Sequence, residues 1–162
     1  MIESSKTTDT KSEDRFLEFM IRDEFFGIPL LEIREVIGVP KTIPIPGAPS
    51  WYQGIMNLRG QVIPIIDLGL KLGSGHTEKT NETAVIIVEC TSVTIGIIVD
   101  AVKKVITATE KTIQKNQSQN TKKDLKIDGV FRNGEQMTLI LNIEKSLNLD
   151  DIVNATPGST LI

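Results

Sequence analysis

Apolar residues along this chain gather into short runs that come in pairs. Phe16, Phe19 and Ile21 are followed by Phe25, Phe26 and Ile28 across the polar triplet Arg22-Asp23-Glu24. The runs at 55–58 and 62–66 flank Arg59-Gly60, those at 83–89 and 93–99 flank Cys90-Thr91-Ser92, and those at 127–131 and 137–141 flank Arg132-Asn133-Gly134. Each pair predicts a β-hairpin. Alternation of apolar and polar residues is imperfect, so most strands are expected to have both faces partly covered. Leu30, Ile33 and Ile37 recur at helical spacing, which predicts a short helical turn running into a strand, and 103–107 add a further strand. Pro40, Pro44, Pro46 and Pro49 exclude a long helix or a central strand from 40–49, leaving an extended edge or loop. Residues 48–52, 67–72 and 110–113 read as single helical turns and 143–149 as a C-terminal helix. The polar stretches read as a disordered tail at 1–14, a linker at 73–81, a mobile loop at 115–124 and a C-terminal tail at 151–162.

The second half echoes the first. Gly27, Ile28, Leu30, Ile33, Val36 and Ile37 are matched by Gly96, Ile97, Val99, Val102, Val105 and Ile106, each 69 residues further on. Gly54, Ile55, Ile65, Ile66, Asp67 and Leu68 are matched by Gly129, Val130, Ile140, Leu141, Asn142 and Ile143, each 75 residues further on. Matching glycines in preserved order imply two similar β-units of about five strands each, the size of a small barrel. The fold class expected is therefore mainly β: two five-stranded barrels over 15–72 and 82–149, packed together, with a groove between them suited to an elongated partner.

Composition narrows the functions open to such a fold. Among the 162 residues, 40% are hydrophobic and 24% charged, the net charge is −3 and aromatics make up 4%, so Ile, Val and Leu supply the core. A chain of this length buries roughly 70% of its unfolded surface, enough for one domain or two joined halves. The opening residues hold no apolar stretch of the kind that leads secretion or crosses a membrane, and a single cysteine, Cys90, allows no internal disulfide, which fits a cytoplasmic setting. Its apolar neighbours Val88 and Val93 predict a buried, inert thiol.

Chemistry is sparse. No phosphate loop, metal-spaced Cys/His cluster or nucleophile elbow is present, so no cofactor or metal is expected. His76, the single histidine, lies in a polar loop, and Asp67 and Asp100 read as caps of helical turns rather than paired acids. These features argue against an enzyme. Lys103, Lys104, Lys111, Lys115, Lys122, Lys123 and Lys126 raise the alternative of a small barrel that binds nucleic acid, but that half has only Phe131 for stacking. The remaining class is a binding module. Arg59 is its candidate residue, since the fixed five-donor fork of a turn arginine suits carboxylates or carbonyls on a partner; the alternatives are a solvated turn residue or a brace of the hairpin from within.

Phe26-Gly27-Ile28 with Ile33-Arg34-Glu35-Val36, then Gly54-Ile55-Met56-Asn57-Leu58-Arg59-Gly60 through Leu68, then Gly96 to Asp100 and Leu139 to Ile143, closely resemble the CheW family of bacterial chemotaxis coupling proteins. The likeness runs from Phe16 to Leu149, and Asn57-Leu58-Arg59-Gly60 is its most specific part. It implies two SH3-like barrels and a non-catalytic scaffold joining the cytoplasmic tips of chemoreceptors to the regulatory domain of the histidine kinase CheA, in the cytoplasm at membrane receptor arrays. The chain would be monomeric when free, with no membrane insertion and no nucleic acid bound. An adaptor of a related chemosensory pathway, such as twitching motility, is the neighbouring alternative. By the same resemblance Ile33, Glu35, Gly54, Arg59 and Gly60 are tied to receptor coupling, with Ile33, Val99 and Val102 as an apolar seat for a receptor helix. Ile43 and Ile45 on the Pro-rich edge are assigned to the kinase. The loop at 115–124 offers no aromatic anchor for a second kinase contact.

Overall fold

A computed structural model of the chain describes residues 13–109, 113–115 and 126–158. Its elements are β1 (Glu13–Ile21), β2 (Glu24–Pro29), a 3-10 turn (Leu30–Glu32), β3 (Ile33–Gly38), β4 (Tyr52–Leu58), β5 (Gln61–Asp67), α1 (Leu68–Lys71), β6 (Ala84–Glu89) and β7 (Thr94–Val99). There follow β8 (Ala101–Thr109), β9 (Ile113–Lys115), β10 (Ile127–Asn133), β11 (Gln136–Leu141), α2 (Ile143–Ser146) and α3 (Leu149–Ala155). The strands form one sheet ordered β3-β6-β7-β5-β4 and another ordered β8-β1-β2-β11-β10-β9.

The two sheets do not follow the two halves of the chain, which corrects the expected units at 15–72 and 82–149. The N-terminal hairpin β1–β2 leaves its own half and joins β8, β10 and β11, while β6–β7 joins β3, β4 and β5. The halves have exchanged hairpins. Each guest hairpin is received by a parallel ladder in matching register, Ile65 beside Gly96 and Ile140 beside Gly27. The repeated glycines have a packing reason here: a Cβ on Gly96 would lie 2.7 Å from Ile65 Cδ1, and one on Gly27 would lie 3.3 Å from Ile140 Cδ1. The chain crosses between sheets through Leu30–Glu32 and through Asp100.

Strand faces alternate between two kinds of core, which is why period-two polarity was imperfect. Val85 and Ile87 point into the five-stranded sheet's own interior with Ile63, Ile65 and Ile98. Their neighbours Ile86 and Val88 point the other way, into a larger cluster shared by both sheets with Leu17, Phe19, Phe26, Ile66, Ile97, Leu141 and Ile152. A third cluster of Phe16, Ile106, Ala108 and Ile140 fills the six-stranded sheet. At about 1.5–3 kcal/mol per buried aliphatic side chain, the shared cluster dominates the cohesion of the two sheets.

Local departures have local causes. Residues 48–52 form hydrogen-bonded turns rather than a helical turn, because Pro46 and Pro49 remove donors there. The β10–β11 turn is centred on Gly134-Glu135, since Asn133 stays in the ladder opposite Gln136. Asp67 and Asn142 cap α1 and α2 by accepting from Leu70 N–H and Lys145 N–H. Asp100 caps no helix; its carboxylate accepts the N–H of Arg22 in the β1–β2 turn. β1 begins at Glu13, inside the expected tail, and the expected helix at 143–149 is two short helices broken at Leu147 and Asn148. α3 runs to Ala155, past the expected start of the C-terminal tail, and carries Ile152 into the shared core. The mobile loop expected at 115–124 lies outside the described residues from 116 onward, as do 110–112 of the expected helical turn, whose last residue Ile113 begins β9.

Candidate functional site

The site is built on the β4–β5 turn. Leu58 pairs with Gln61, leaving Arg59 and Gly60 as a two-residue loop with φ of 52° and 87°. Two left-handed residues make a type I′ turn, whose twist matches that of the strands. Glycine adopts this conformation freely, and an arginine does not. Asn57 holds the turn closed, its Oδ1 accepting the Gly60 N–H at 2.8 Å. The Asn57-Leu58-Arg59-Gly60 block is therefore a device for presenting the arginine at the rim.

From that rim the guanidinium reaches β3, the opposite edge of the same sheet. Nη1 donates to Glu35 Oε2 at 2.6 Å and Nη2 to Oε1 at 3.2 Å, a bidentate pair. Beside it Arg34 donates to Glu89 Oε2 on the neighbouring β6 at 2.8 Å and to Gln61 Oε1 at the start of β5 at 2.9 Å, so side chains bridge from β3 to the foot of the β4–β5 turn. A bulge between Ile33 and Glu35 sets the neighbouring arginine out of register. The Arg59 side chain is 70% exposed and Glu35 only 25%. Hydrogen bonding from Arg59 holds the Glu35 carboxyl below the ordinary carboxylate range, and the same bond pushes the guanidinium's pKa up. Val36 on β3 and Val62 on β5 are partly exposed.

The other residues singled out by sequence separate into surface and scaffold. Ile33 and Val102 are partly exposed at the margin of the shared core, one on each sheet and 69 residues apart. Val99 is not: it is fully buried in the shared core and presents no surface. Gly54 is also buried, with φ of 143°, and a Cβ there would lie 2.5 Å from the Ile43 carbonyl oxygen. Its absence lets the Pro-rich segment cross β4 and form the two Ile43–Ile55 backbone hydrogen bonds, both 2.9 Å. That crossing leaves the Ile43 side chain 66% exposed while Ile45 packs inward against the shared core.

Arg34 and Arg22 were not singled out by sequence. Arg22 spans from the N-terminal hairpin to the 73–77 loop, donating to the carbonyls of Ser74 at 2.9 Å and His76 at 3.0 Å. His76 in turn places Nδ1 3.1 Å from the buried Asp67 carboxylate. The start of the linker is thus pinned to the N-terminal hairpin and to the end of β5. Only a long-range contact defines these roles, and no spacing announces it. Cys90 is half-buried, its thiol pushed up to about 12 by burial and by the nearby Glu144 and Glu32 carboxylates. No group of His, Cys, Asp or Glu among the described residues could hold a metal ion, and no helix there is long and apolar enough to cross a membrane. An open pocket of about 610 Å³ between Trp51, Lys71 and the α2–α3 segment is lined by none of the singled-out residues.

Against known sequences, the family model described as the CheW-like domain matches residues 15–151. The chain belongs to that family. It is 30% identical to the chemotaxis protein CheW of Klebsiella aerogenes over 149 residues, covering 91% of this chain and 90% of that protein. It is 36% identical to Protein PilI of Pseudomonas aeruginosa over 84 residues, covering 52% of this chain and 47% of that one. Among solved structures it is similar to the scaffolding protein TtCheW of Thermoanaerobacter tengcongensis, with a TM-score of 0.76 and 28% identity over 85% of this chain and 94% of the other. The CheW-like domain accounts for both sheets and for the mainly β, SH3-like packing expected from sequence.

Proposed function

We propose that this chain is a non-catalytic adaptor of bacterial chemotaxis that holds chemoreceptor cytoplasmic tips and the regulatory domain of CheA together, in the cytoplasm at receptor arrays. The observation that carries the reading is the Arg59–Glu35 pair. An exposed ion pair adds little to stability, yet here a side chain is held in a left-handed turn to make it. A polar group on a receptor helix bonds the remaining guanidinium donors, and Ile33 and Val102 seat the apolar side of that helix. The kinase is assigned to the Ile43 edge, where an exposed isoleucine stands on a backbone bridge.

Calorimetry with a receptor cytoplasmic fragment and with the CheA regulatory domain tests this directly. Saturable binding to each, and a ternary complex when both are present, is the expected result; binding to neither refutes the reading. The likeness to Protein PilI favours, as a second reading, an adaptor of a related chemosensory pathway. Binding only to the receptor and kinase of such a pathway selects it.

A further inference from the structure

The interiors of the two sheets match at several positions and differ at one coupled, buried pair. Val85 is answered by Phe16, Ile65 by Ile140 and Ile37 by Ile106, all apolar and all paired in equivalent register. Two positions change together. Where the five-stranded sheet has Ile87 opposite Gly96, the six-stranded sheet has Glu18 opposite Gly27, and where one has Ile63 the other has Thr138. Glu18 and Thr138 are each only 1% exposed. The Thr138 hydroxyl donates to Glu18 Oε2 at 2.7 Å and Gln136 Nε2 donates to the same oxygen at 3.0 Å.

We propose that Glu18, Thr138 and Gln136 form a polar address that commits the N-terminal hairpin to the six-stranded sheet and thereby fixes the exchange of hairpins between the halves. The two hairpins share register and glycine position, so nothing in their apolar pattern distinguishes β5 from β11 as the parallel partner. The polar groups do. A β1–β2 hairpin docked on β5 would bring the Glu18 carboxyl against Ile63, which offers no donor in place of the Thr138 hydroxyl, while Gln61, the equivalent of Gln136, has its Oε1 held by Arg34. The reciprocal error would set Ile87 against Thr138 and leave a buried hydroxyl without an acceptor. Each misplacement strands a polar group in an apolar interior, and a mismatch of that kind selects among arrangements without adding to the stability of the right one. Ile63 and Ile87 show that the site packs equally well with no polar group at all.

The test compares the full-length chain with Glu18→Ile, Thr138→Ile and the double variant, each refolded from denaturant. Either single change should lower Tm, and the double variant should recover most of that loss. Nuclear Overhauser contacts across β2 then read the pairing. The unaltered chain should show Gly27 against Ile140 alone, whereas the double variant should add Gly27 against Ile65 in about a tenth of molecules. A double variant that folds with the Ile140 contact alone would overturn the proposal and assign the choice to the short crossovers at Leu30–Glu32 and Asp100. One that fails to fold would overturn it too, because the proposal requires the apolar pair to pack as Ile63 and Ile87 do. Ile63→Thr, which gives β5 the missing donor, should also populate the Ile65 contact.

Discussion

The β4–β5 turn and the β10–β11 turn occupy equivalent places in the two sheets, and their differences separate frame from function. Both loops have two residues and both open with a left-handed residue. In the second, that residue is Gly134, followed by Glu135; in the first it is Arg59, followed by Gly60. The strand facing each turn differs in the same way, since Glu35 is answered in the ladder by Lys104, opposite Ile87 and Glu18 respectively. The second barrel closes its turn with a glycine in the left-handed position and no side chain there. The first accepts backbone strain and an arginine, and gains a rim of fixed, paired charge.

The comparison can be broken first at its frame. Gly54→Ala would drive a Cβ into the Ile43 carbonyl at a φ hostile to side chains, and unfolding in urea should show a loss on the order of 3 kcal/mol. It can next be broken at its charge. Glu35→Lys gives the first barrel the second barrel's residue, and calorimetry should show receptor-fragment affinity falling about tenfold or more with Tm nearly unchanged. If the reversed pair, Glu35→Arg with Arg59→Glu, restores binding, Arg59 is a brace; continued loss places its guanidinium on the partner. A sharper probe is Arg59→Gly, which copies Gly134: Tm should rise by about 2–4 °C as the strain is relieved while receptor coupling is lost. The smallest effect is in pH. The depressed Glu35 pKa means the pair contributes above the ordinary carboxylate range and is lost as pH falls through the lowered folded value. The carboxyl resonance of Glu35 should therefore titrate at a higher pH in Arg59→Ala than in the unaltered chain.

Local features were legible in the sequence where local chemistry decides them. Glycine after Arg59 marked the first turn, and Asp67 announced a helix cap that the structure shows. The 75-residue match placed β10 and β11 in equivalent register to β4 and β5. What the sequence left open depends on partners far along the chain. Hairpin exchange was hidden because a repeat specifies a hairpin but not the sheet that receives it. Val99 looked like a seat for a partner because a strand covered on both faces carries no exposure signal. Asn-Gly at 133–134 suggested its own turn, but the ladder register carried Asn133 into the strand. Of the candidate site, Glu35 and Arg59 come together as a pair, and Gly54 is buried beneath the Ile43 backbone.

The exchanged hairpins also set how the protein carries load. Among the described residues the chain passes from one sheet to the other through Leu30–Glu32 and Asp100, three residues and one residue, each between two strands. Such links are too short to let the sheets part far, and separating them would expose the apolar cluster that both sheets bury. A push delivered at the Arg59 rim therefore has a packed path to the other sheet, through the apolar cluster the two share, as a load passes along a strut.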